Sequence, residues 1–327
     1  MELVLLALHG LGFGAIMLGS DDNDEFAPAH AGEDDFFDEV ETPPEPEGED
    51  IVIGDQATVT GTDGPDTITA AEDTSLLDQL FAGDGNDLID LVSVSDAEID
   101  GGPGDDVIST DAFSSTISGG EGDDTLSGKY NEAWVNGDAG DDVINVAQDF
   151  NDSSTPETGP FVTGHSSHIS GGDGDDTLNV DVYTDPWADA PVLSGGEGED
   201  VFALDVTTTD YGFTQLSEEE LFEFDEFGDL IGEVEVPVVQ DQIAQIDDFE
   251  PGVDKLELDL RDTHDQTPGA HELGSVTSEE TEDGTLLSIT FDSARPDDAD
   301  ASYQIIATVF LENSFGVDLD RDLTLIT

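Results

Sequence analysis

The sequence predicts an all-β solenoid, a chain wound in repeated coils, and three observations support that fold class. Six-residue glycine–aspartate loops recur, and those that begin at Gly101, Gly119 and Gly137 follow one another at an 18-residue spacing. The residue two places after the final aspartate of each loop is apolar, and so is the residue two places before each loop. Coils of that constant length would stack the loops on one edge and enclose two apolar ladders.

Seven loops share this pattern, and each repeat comprises two nine-residue half-turns, of which one carries a loop. The loops begin at Gly61, Ala82, Gly101, Gly119, Gly137, Gly171 and Gly195. The sixth residue is always aspartate: Asp66, Asp87, Asp106, Asp124, Asp142, Asp176 and Asp200. The eighth is always apolar: Ile68, Ile89, Ile108, Leu126, Ile144, Leu178 and Phe202. The second apolar ladder comprises Val59, Leu80, Ile99, Ile117, Val135, Ile169 and Leu193.

A column of stacked aspartates predicts a cation, because closely spaced carboxylates repel one another. Glycine allows the backbone to turn so that loop carbonyls point to a common place. Calcium accepts six to eight oxygen ligands at loose geometry, which suits carbonyls and carboxylates better than magnesium does. The alternative is that the loops are plain solenoid turns with water beside them. Aspartate at the same place in all seven loops favours the cation.

The loops and the residues after them resemble the nonapeptide G-G-x-G-x-D-x-U-x of the RTX, or haemolysin-type, calcium-binding proteins. The resemblance covers roughly residues 57–205 and implies a right-handed parallel β-roll, with calcium between adjacent loops. It also implies that the aspartates are the side-chain ligands and that loop carbonyls complete each site. By position, the metal-binding residues are Asp66, Asp87, Gly101, Asp106, Gly119, Asp124, Gly137, Asp142, Gly171, Asp176, Gly195 and Asp200.

Several departures from the family pattern refine this expectation. Only alternate half-turns carry loops, which predicts one calcium edge and one bare edge. Insertions at 149–164 and 183–191 fall in half-turns without loops, so they should bulge from the bare edge. Pro65, Ala82 and Asp138 should weaken their loops. We expect about three or four inter-loop sites to bind calcium. Strands of three residues bury a thin core, so we also expect metal binding to supply folding energy.

The composition limits the partners. The chain has 82 acidic and 5 basic residues, a net charge of −77, which excludes nucleic acid as an electrostatic partner. The surplus of acidic residues could serve solubility, tolerance of high salt, or an extended chain before calcium binds. A solvated acidic surface suited to a saline habitat explains the surplus equally well. The absence of cysteine is compatible with a secreted protein held together by metal.

The two ends of the chain differ from the repeats. Residues 1–20 are predicted to be a hydrophobic helix, in which the apolar run 3–19 is an uncleaved membrane anchor of about 25 Å; a translocation signal or a disordered start are the alternatives. Residues 21–50 are predicted to be a disordered acidic linker, 51–205 the roll, and 206–327 a β-rich C-terminal cap.

Within that cap, QDQIAQIDDFEPGVDKLELDL resembles the segment that closes RTX rolls, including those of serralysin-type proteases. Asp283–Gly284 predicts a hairpin, and Ser217–Phe224 a short helix. The tail DLTLIT is similar to the C-terminal signal of type I secretion substrates, and a plain edge strand explains it equally well.

No catalytic motif emerges, so we expect a protein that is not an enzyme. His271–Glu272 lacks the second histidine of H-E-x-x-H, and no cysteine nucleophile exists. His165 and His168 could bind a transition metal or lie on the surface. The favoured function is a calcium-binding structural protein, extracellular or on the cell surface, that folds in extracellular calcium. The alternatives are an adhesin or matrix component with a cell-surface or matrix partner, and an accessory module of an extracellular hydrolase.

Overall fold

The chain alternates between two sheets that enclose the core, so each coil adds one strand to each sheet. The computed structural model describes residues 46–70, 74, 76–147, 166–184, 190–208, 222–224, 230–233, 238–261, 271–294 and 302–327. All of them belong to one compact unit, Glu45–Thr327. Most strand pairs are parallel, as successive coils wound in one direction require.

Sheet A consists, in spatial order, of β1 (Asp50–Ile53), β3 (Thr67–Ala70), β5 (Leu88–Ser95), β7 (Val107–Phe113), β9 (Thr125–Gly128), β12 (Val143–Val146), β14 (Thr177–Tyr183), β16 (Val201–Thr207), β20 (Lys255–Asp259) and β24 (Leu323–Ile326), with β10 (Tyr130–Asn131) beside β7. Sheet B consists of β2 (Thr58–Thr60), β4 (Gln79–Phe81), β6 (Glu98–Pro103), β8 (Thr116–Glu121), β11 (Trp134–Ala139), β13 (His168–Asp173), β15 (Val192–Glu197), β19 (Val238–Ile246), β23 (Ser302–Glu312), β22 (Gly284–Ala294) and β21 (His271–Glu280). A separate hairpin pairs β17 (Phe222–Phe224) with β18 (Leu230–Glu233), and within the described ranges a short helix, α1, spans Leu319–Asp322. The prediction of an all-β parallel β-roll is confirmed.

Both predicted apolar ladders lie in the core. Every eighth-position residue is fully buried, and the ladder before the loops is buried as well. The core is broader than the sequence predicted, because several strands exceed three residues. In β14, for example, Leu178, Val180 and Val182 all point inward. Each such coil buries more apolar surface than one residue per strand could supply, which adds to the stability of the roll.

All seven glycine loops lie on one edge of the roll, the loop edge, where each joins a strand of sheet B to the next strand of sheet A. On the opposite, bare edge, Asp96, Ser114 and Glu132 adopt the left-handed conformation in short connections between the sheets. The chain enters and leaves the two insertions at the bare edge, between β12 and β13 and between β14 and β15. Most of the inserted residues lie outside the described ranges.

An insertion does not disturb the register of the roll. Val135 pairs with Ile117 of the coil before it and with Ile169 of the coil after it, although the insertion at 149–164 separates Val135 from Ile169 along the chain. The loop edge therefore keeps one loop per coil whatever the length of the bare-edge connection.

The segment after residue 206 continues both sheets. β20 pairs in parallel with β16, and β19 with β15, before β23, β22 and β21 extend sheet B, the last two as antiparallel neighbours. The hairpin predicted at Asp283–Gly284 joins β21 to β22. The tail forms β24, an edge strand against β20.

One local prediction for this segment is wrong. The helix proposed for Ser217–Phe224 is replaced at Phe222–Phe224 by strand β17, whose backbone hydrogen-bonds with β18 and therefore cannot be helical. Residues 217–221 lie outside the described part.

The N-terminal predictions also concern residues that the structure leaves undescribed. The proposed anchor at 3–19 and nearly all of the proposed linker fall before residue 46. In the part of the chain that is described, no helix combines the length and the apolar character needed to cross a membrane.

Candidate metal centre

The sixth-position aspartates form a continuous column along the loop edge. All seven are buried, and each presents one carboxylate oxygen to the coil before it. The backbone N–H of Asp87 donates to Oδ1 of Asp106 over 2.7 Å, and the N–H of Asp106 donates to Oδ1 of Asp124 over 2.7 Å. The same bond, 2.6 to 3.0 Å long, joins every neighbouring pair from Asp66 to Asp200. The column therefore aligns one carboxylate per coil.

The second oxygen of these carboxylates is left without a protein partner. Among the described residues, Oδ2 is buried and accepts no hydrogen bond in Asp87, Asp106, Asp124, Asp142 and Asp176. A buried polar atom without a partner costs about 1–3 kcal/mol, and more when it is charged. Five such atoms on one edge point to a ligand that carries positive charge.

The first glycine of each loop keeps a space open beside that oxygen. A Cβ placed on Gly101 would lie 2.3 Å from Oδ2 of Asp106 and 2.5 Å from the carbonyl oxygen of Gly119. A Cβ on Gly119 would lie 2.3 Å from Oδ2 of Asp124 and 2.8 Å from the carbonyl oxygen of Gly137. A carboxylate oxygen from one coil and a carbonyl oxygen from the next thus converge on one space. This donor set fits calcium, which binds carboxylate and carbonyl oxygens together.

The electrostatics of the aspartate column also favour a bound cation. Burial and, to a smaller extent, neighbouring carboxylates together raise the pKa of Asp106 and Asp142 to about 7, against the lowering effect of a backbone hydrogen bond. Burial raises the pKa of Asp124, Asp176 and Asp200 to about 6. The ionised column is therefore unfavourable by itself, and a divalent cation would reverse that balance.

Two loops differ from this pattern, and both are among those for which the sequence predicts weaker sites. In the first loop, Oδ2 of Asp66 accepts the N–H of Thr62 over 2.6 Å, and its Oδ1 accepts the backbone N–H of Glu49. Both carboxylate oxygens therefore have protein partners. In the second loop, the buried Ala82 puts a methyl group where most other loops have glycine, while Oδ2 of Asp87 remains without a partner.

The third departure acts differently. Asp138 adopts a left-handed conformation, φ 79°, where most other loops have glycine. Its side chain accepts hydrogen bonds from Ser118 and Asn136 on sheet B. Asp138 is thus directed away from the column, and the neighbouring Gly137 retains its open space beside Asp142.

The structure adds an aspartate that sequence analysis missed. Asp254 is buried, its Oδ1 accepts the N–H of Asp200 over 3.1 Å, and its Oδ2 accepts the N–H of Glu250 over 2.7 Å. It extends the column by one coil beyond the last glycine loop. The signal was present in the sequence, since Asp254 precedes the buried Leu256 by two residues, as in every repeat.

The column ends at an ion pair. Asp322 is buried and accepts the N–H of Gly252 over 3.0 Å, and its carboxylate pairs with the guanidinium of Arg321 at 2.5 Å. This pairing lowers the pKa of Asp322, in contrast to the raised values along the column. The charge of Arg321 therefore neutralises the carboxylate at this end.

The fifth loop position forms a second, exposed ladder, which sequence analysis also missed. The N–H of Asp123 donates to Oδ1 of Asp105 over 3.1 Å, and the N–H of Asp141 donates to Oδ1 of Asp123 over 3.0 Å. In this ladder the N–H of the later coil donates to the earlier coil, whereas in the buried column the N–H of the earlier coil donates to the later coil. The members of the exposed ladder are Asn86, Asp105, Asp123, Asp141, Asp175 and Glu199. The paired acids of the GDD loops were the available signal.

Side chains alone do not build a site. Within the described ranges, no three His, Asp or Glu side chains gather closely enough to hold a metal ion. His168 stacks against Trp134 on sheet B with 4.0 Å between ring centroids, and His165 lies outside the described residues.

Comparison with known families identifies the repeats. The family model for the RTX calcium-binding nonapeptide repeat matches four copies, at residues 77–91, 100–129 and 166–181. The chain carries RTX calcium-binding repeats. Its repeats indicate calcium as the ion, and the RTX repeat is a structural calcium-binding module rather than a catalytic one. No curated protein matches the chain. The RTX match includes the loops at Ala82, Gly101, Gly119 and Gly171, and the structure stacks the loops at Gly61, Gly137 and Gly195 in the same column.

Proposed function

We propose that this RTX protein is a structural protein, secreted or displayed on the cell surface, whose roll folds when it meets extracellular calcium. The observation that carries the proposal is the column of buried aspartates, most of which have one oxygen that lacks a protein partner. Such a column opposes folding until positive charge arrives. Calcium binding would then supply folding free energy, as in other domains without a preformed metal-free site.

The charge of the whole chain supports the same function. A net charge of −77 expands an unfolded chain by self-repulsion, which suits export in an extended form. The calcium concentration inside cells is too low to fill sites of the affinity typical of extracellular modules, about 10⁻⁴–10⁻³ M. Folding would therefore be delayed until the chain reaches calcium outside the cell.

The best-supported sites lie between the loops that begin at Gly101, Gly119, Gly137 and Gly171. There the open glycine space, the partnerless carboxylate oxygen and the raised aspartate pKa occur together. We propose that the aspartate of each loop and the glycine carbonyl of the next coil hold calcium in these gaps. The sites at Gly61 and Ala82 should bind calcium more weakly, because Oδ2 of Asp66 already accepts a hydrogen bond and Ala82 carries a methyl group at the first loop position.

A calcium titration of the full chain tests the proposal. Circular dichroism should show mostly coil in chelator and β-structure in calcium, with a midpoint of about 10⁻⁴–10⁻³ M. Asp124→Ala should raise the midpoint, because this aspartate borders two inter-loop gaps, whereas Asp34→Ala near the N-terminus should leave it unchanged. A chain stripped of metal that keeps the same β-structure and stability would contradict calcium-driven folding.

Attachment to a membrane through residues 3–19 is a separate part of the proposal. The support is the apolar composition of that segment. Cell fractionation tests it, since deletion of residues 1–20 should move the protein from the membrane fraction to the medium or the soluble fraction. Equal membrane association of both forms would argue against an anchor.

A further inference from the structure

The outer face of sheet B carries an exposed aromatic side chain beside acidic residues. Trp134 in β11 is 59% exposed, and its ring stacks on His168 of the adjacent strand β13, with centroids 4.0 Å apart and planes 9° apart. So short a centroid distance leaves little lateral offset. The second face of the indole is therefore turned toward the neighbouring strand on the other side, β8.

On that side of Trp134, the adjacent strand carries a small residue and the strand beyond it carries a carboxylate. Thr116 of β8 is the register partner of Trp134, and Glu98 of β6 is the register partner of Thr116. Since adjacent strands lie about 4.8 Å apart, Glu98 is about 10 Å from Trp134 at the backbone. In the next outward-facing row, Asp100 lies beside Ser118. We call this feature the Trp134 slot: Thr116 and Ser118 form its floor and Trp134 forms one wall. Glu98 and Asp100 lie on the strand beyond the floor, where Glu98 accepts a hydrogen bond from Gln79 over 2.8 Å.

The slot opens into a cavity of about 810 Å³, within the usual size range of ligand pockets. Besides Trp134 and the floor residues, the polar side chains of Asn136, Asp138, His168 and Asp247 line it, whereas Glu98 and Asp100 lie outside this lining. Asp138 and Asp247 are the carboxylates in that lining, and Asp100 on β6 interacts electrostatically with Asp138. The slot thus combines an aromatic face with concentrated negative charge.

Charge decides which occupant fits. A second copy of this chain carries −77 and would be repelled, and nucleic acid is repelled for the same reason. The segment that precedes residue 46 is also acidic between residues 20 and 45. A cation on a partner, in contrast, would meet both an indole face and opposing carboxylates. Arginine and lysine side chains bind the face of tryptophan, and carboxylates attract the same positive charge.

We propose that the Trp134 slot binds an arginine or lysine side chain from a basic segment of a partner protein. The cation lies against the free face of Trp134, with Asp138 in the same cavity and Glu98 and Asp100 on the strand beyond the floor. This interaction surface is separate from the loop edge, so it can act while the calcium column is filled.

The test uses the full chain in saturating calcium and a short, end-blocked peptide with two arginines and a fluorescent label. The control peptide replaces arginine by citrulline, which has nearly the same shape without the charge. Anisotropy should show tighter binding of the arginine peptide, and Trp134→Ala should weaken it roughly fivefold to thirtyfold. Trp134→Phe should retain part of the affinity, because phenylalanine also offers an aromatic face to a cation.

Matched controls separate the slot from general attraction to an acidic protein. Phe113→Ala truncates another exposed aromatic side chain, 47% exposed, and should leave affinity unchanged. Glu98→Gln should weaken binding more than Asp123→Asn, which removes the same charge from the exposed ladder. Circular dichroism in calcium verifies that each variant folds.

Three results would overturn the proposal. The citrulline peptide could bind as tightly as the arginine peptide, or Trp134→Ala could bind the arginine peptide as tightly as the unaltered chain. In the third, a neutral oligosaccharide such as maltohexaose binds, loses affinity in Trp134→Ala, and is not displaced by the arginine peptide.

Discussion

Replacing Asp124 by asparagine should have opposite effects on the calcium-free and the calcium-bound protein. Asparagine retains an oxygen that can accept the N–H of Asp106, the bond that Oδ1 of Asp124 makes over 2.7 Å. It removes the negative charge, however. Without calcium that charge is unfavourable, and with calcium it is a ligand, so one substitution should stabilise the first state and weaken the second.

The size of the calcium-free effect follows from the pKa. Burial raises the pKa of Asp124 from 3.8 to about 6. This rise corresponds to about 3 kcal/mol against the ionised folded state at neutral pH, and solvent screening reduces it to about 1–2 kcal/mol. Because the folded pKa is the higher one, the stabilisation is fully present below pH 3.8 and is lost as the pH rises through about 6. Asp106 and Asp142 extend that loss to about pH 7.

The assay is circular dichroism of the full chain. In chelator, the unaltered protein should lose β-structure as the pH rises from 5 toward 7.5, and Asp124→Asn should lose it at a higher pH. At pH 7.5, Asp124→Asn should need about threefold to tenfold more calcium to fold. Asp123→Asn is the control, since this exposed neighbour lies outside the buried column. If Asp124→Asn matched Asp123→Asn in both experiments, the buried carboxylate column would not be what controls folding.

Three further substitutions test the column. Gly119→Ala should raise the calcium midpoint severalfold, because the added Cβ would lie 2.3 Å from Oδ2 of Asp124; an unchanged midpoint would mean that the glycine space holds no ion. Ala82→Gly should lower the midpoint or add a bound calcium, measured by calorimetry, by opening the space that the methyl group fills. Arg321→Gln should lower the melting temperature in calcium more than Arg261→Gln, because only Arg321 pairs with a fully buried carboxylate. Equal decreases in melting temperature would mean that the Arg321–Asp322 pair does not stabilise the end of the column.

Much of the roll was predictable because its determinants are local and periodic. The constant spacing of the loops is a property of the chain, and one apolar residue at a fixed distance from each aspartate predicts which side faces the core. Burial of Ile108 and Leu126, for example, follows from their place after the loop. The helix predicted near Phe224 was wrong because its capping pattern is short, and strand pairing with β18 supplies the backbone hydrogen bonds instead.

The sequence by itself determined the repeat, the position of the aspartates and the enormous negative charge, since each is read from residue type and spacing. Only the tertiary structure decided what each aspartate contacts. Stacking brings Oδ1 of one coil to the N–H of the previous coil and leaves Oδ2 without a partner, whereas Asp66 gains partners for both oxygens. It also adds Asp254 to the column and places Trp134 two strands from Glu98, in the same row of sheet B. These relations depend on which coils become neighbours, and hydrogen bonds and charge interactions act only over the short distances that packing creates.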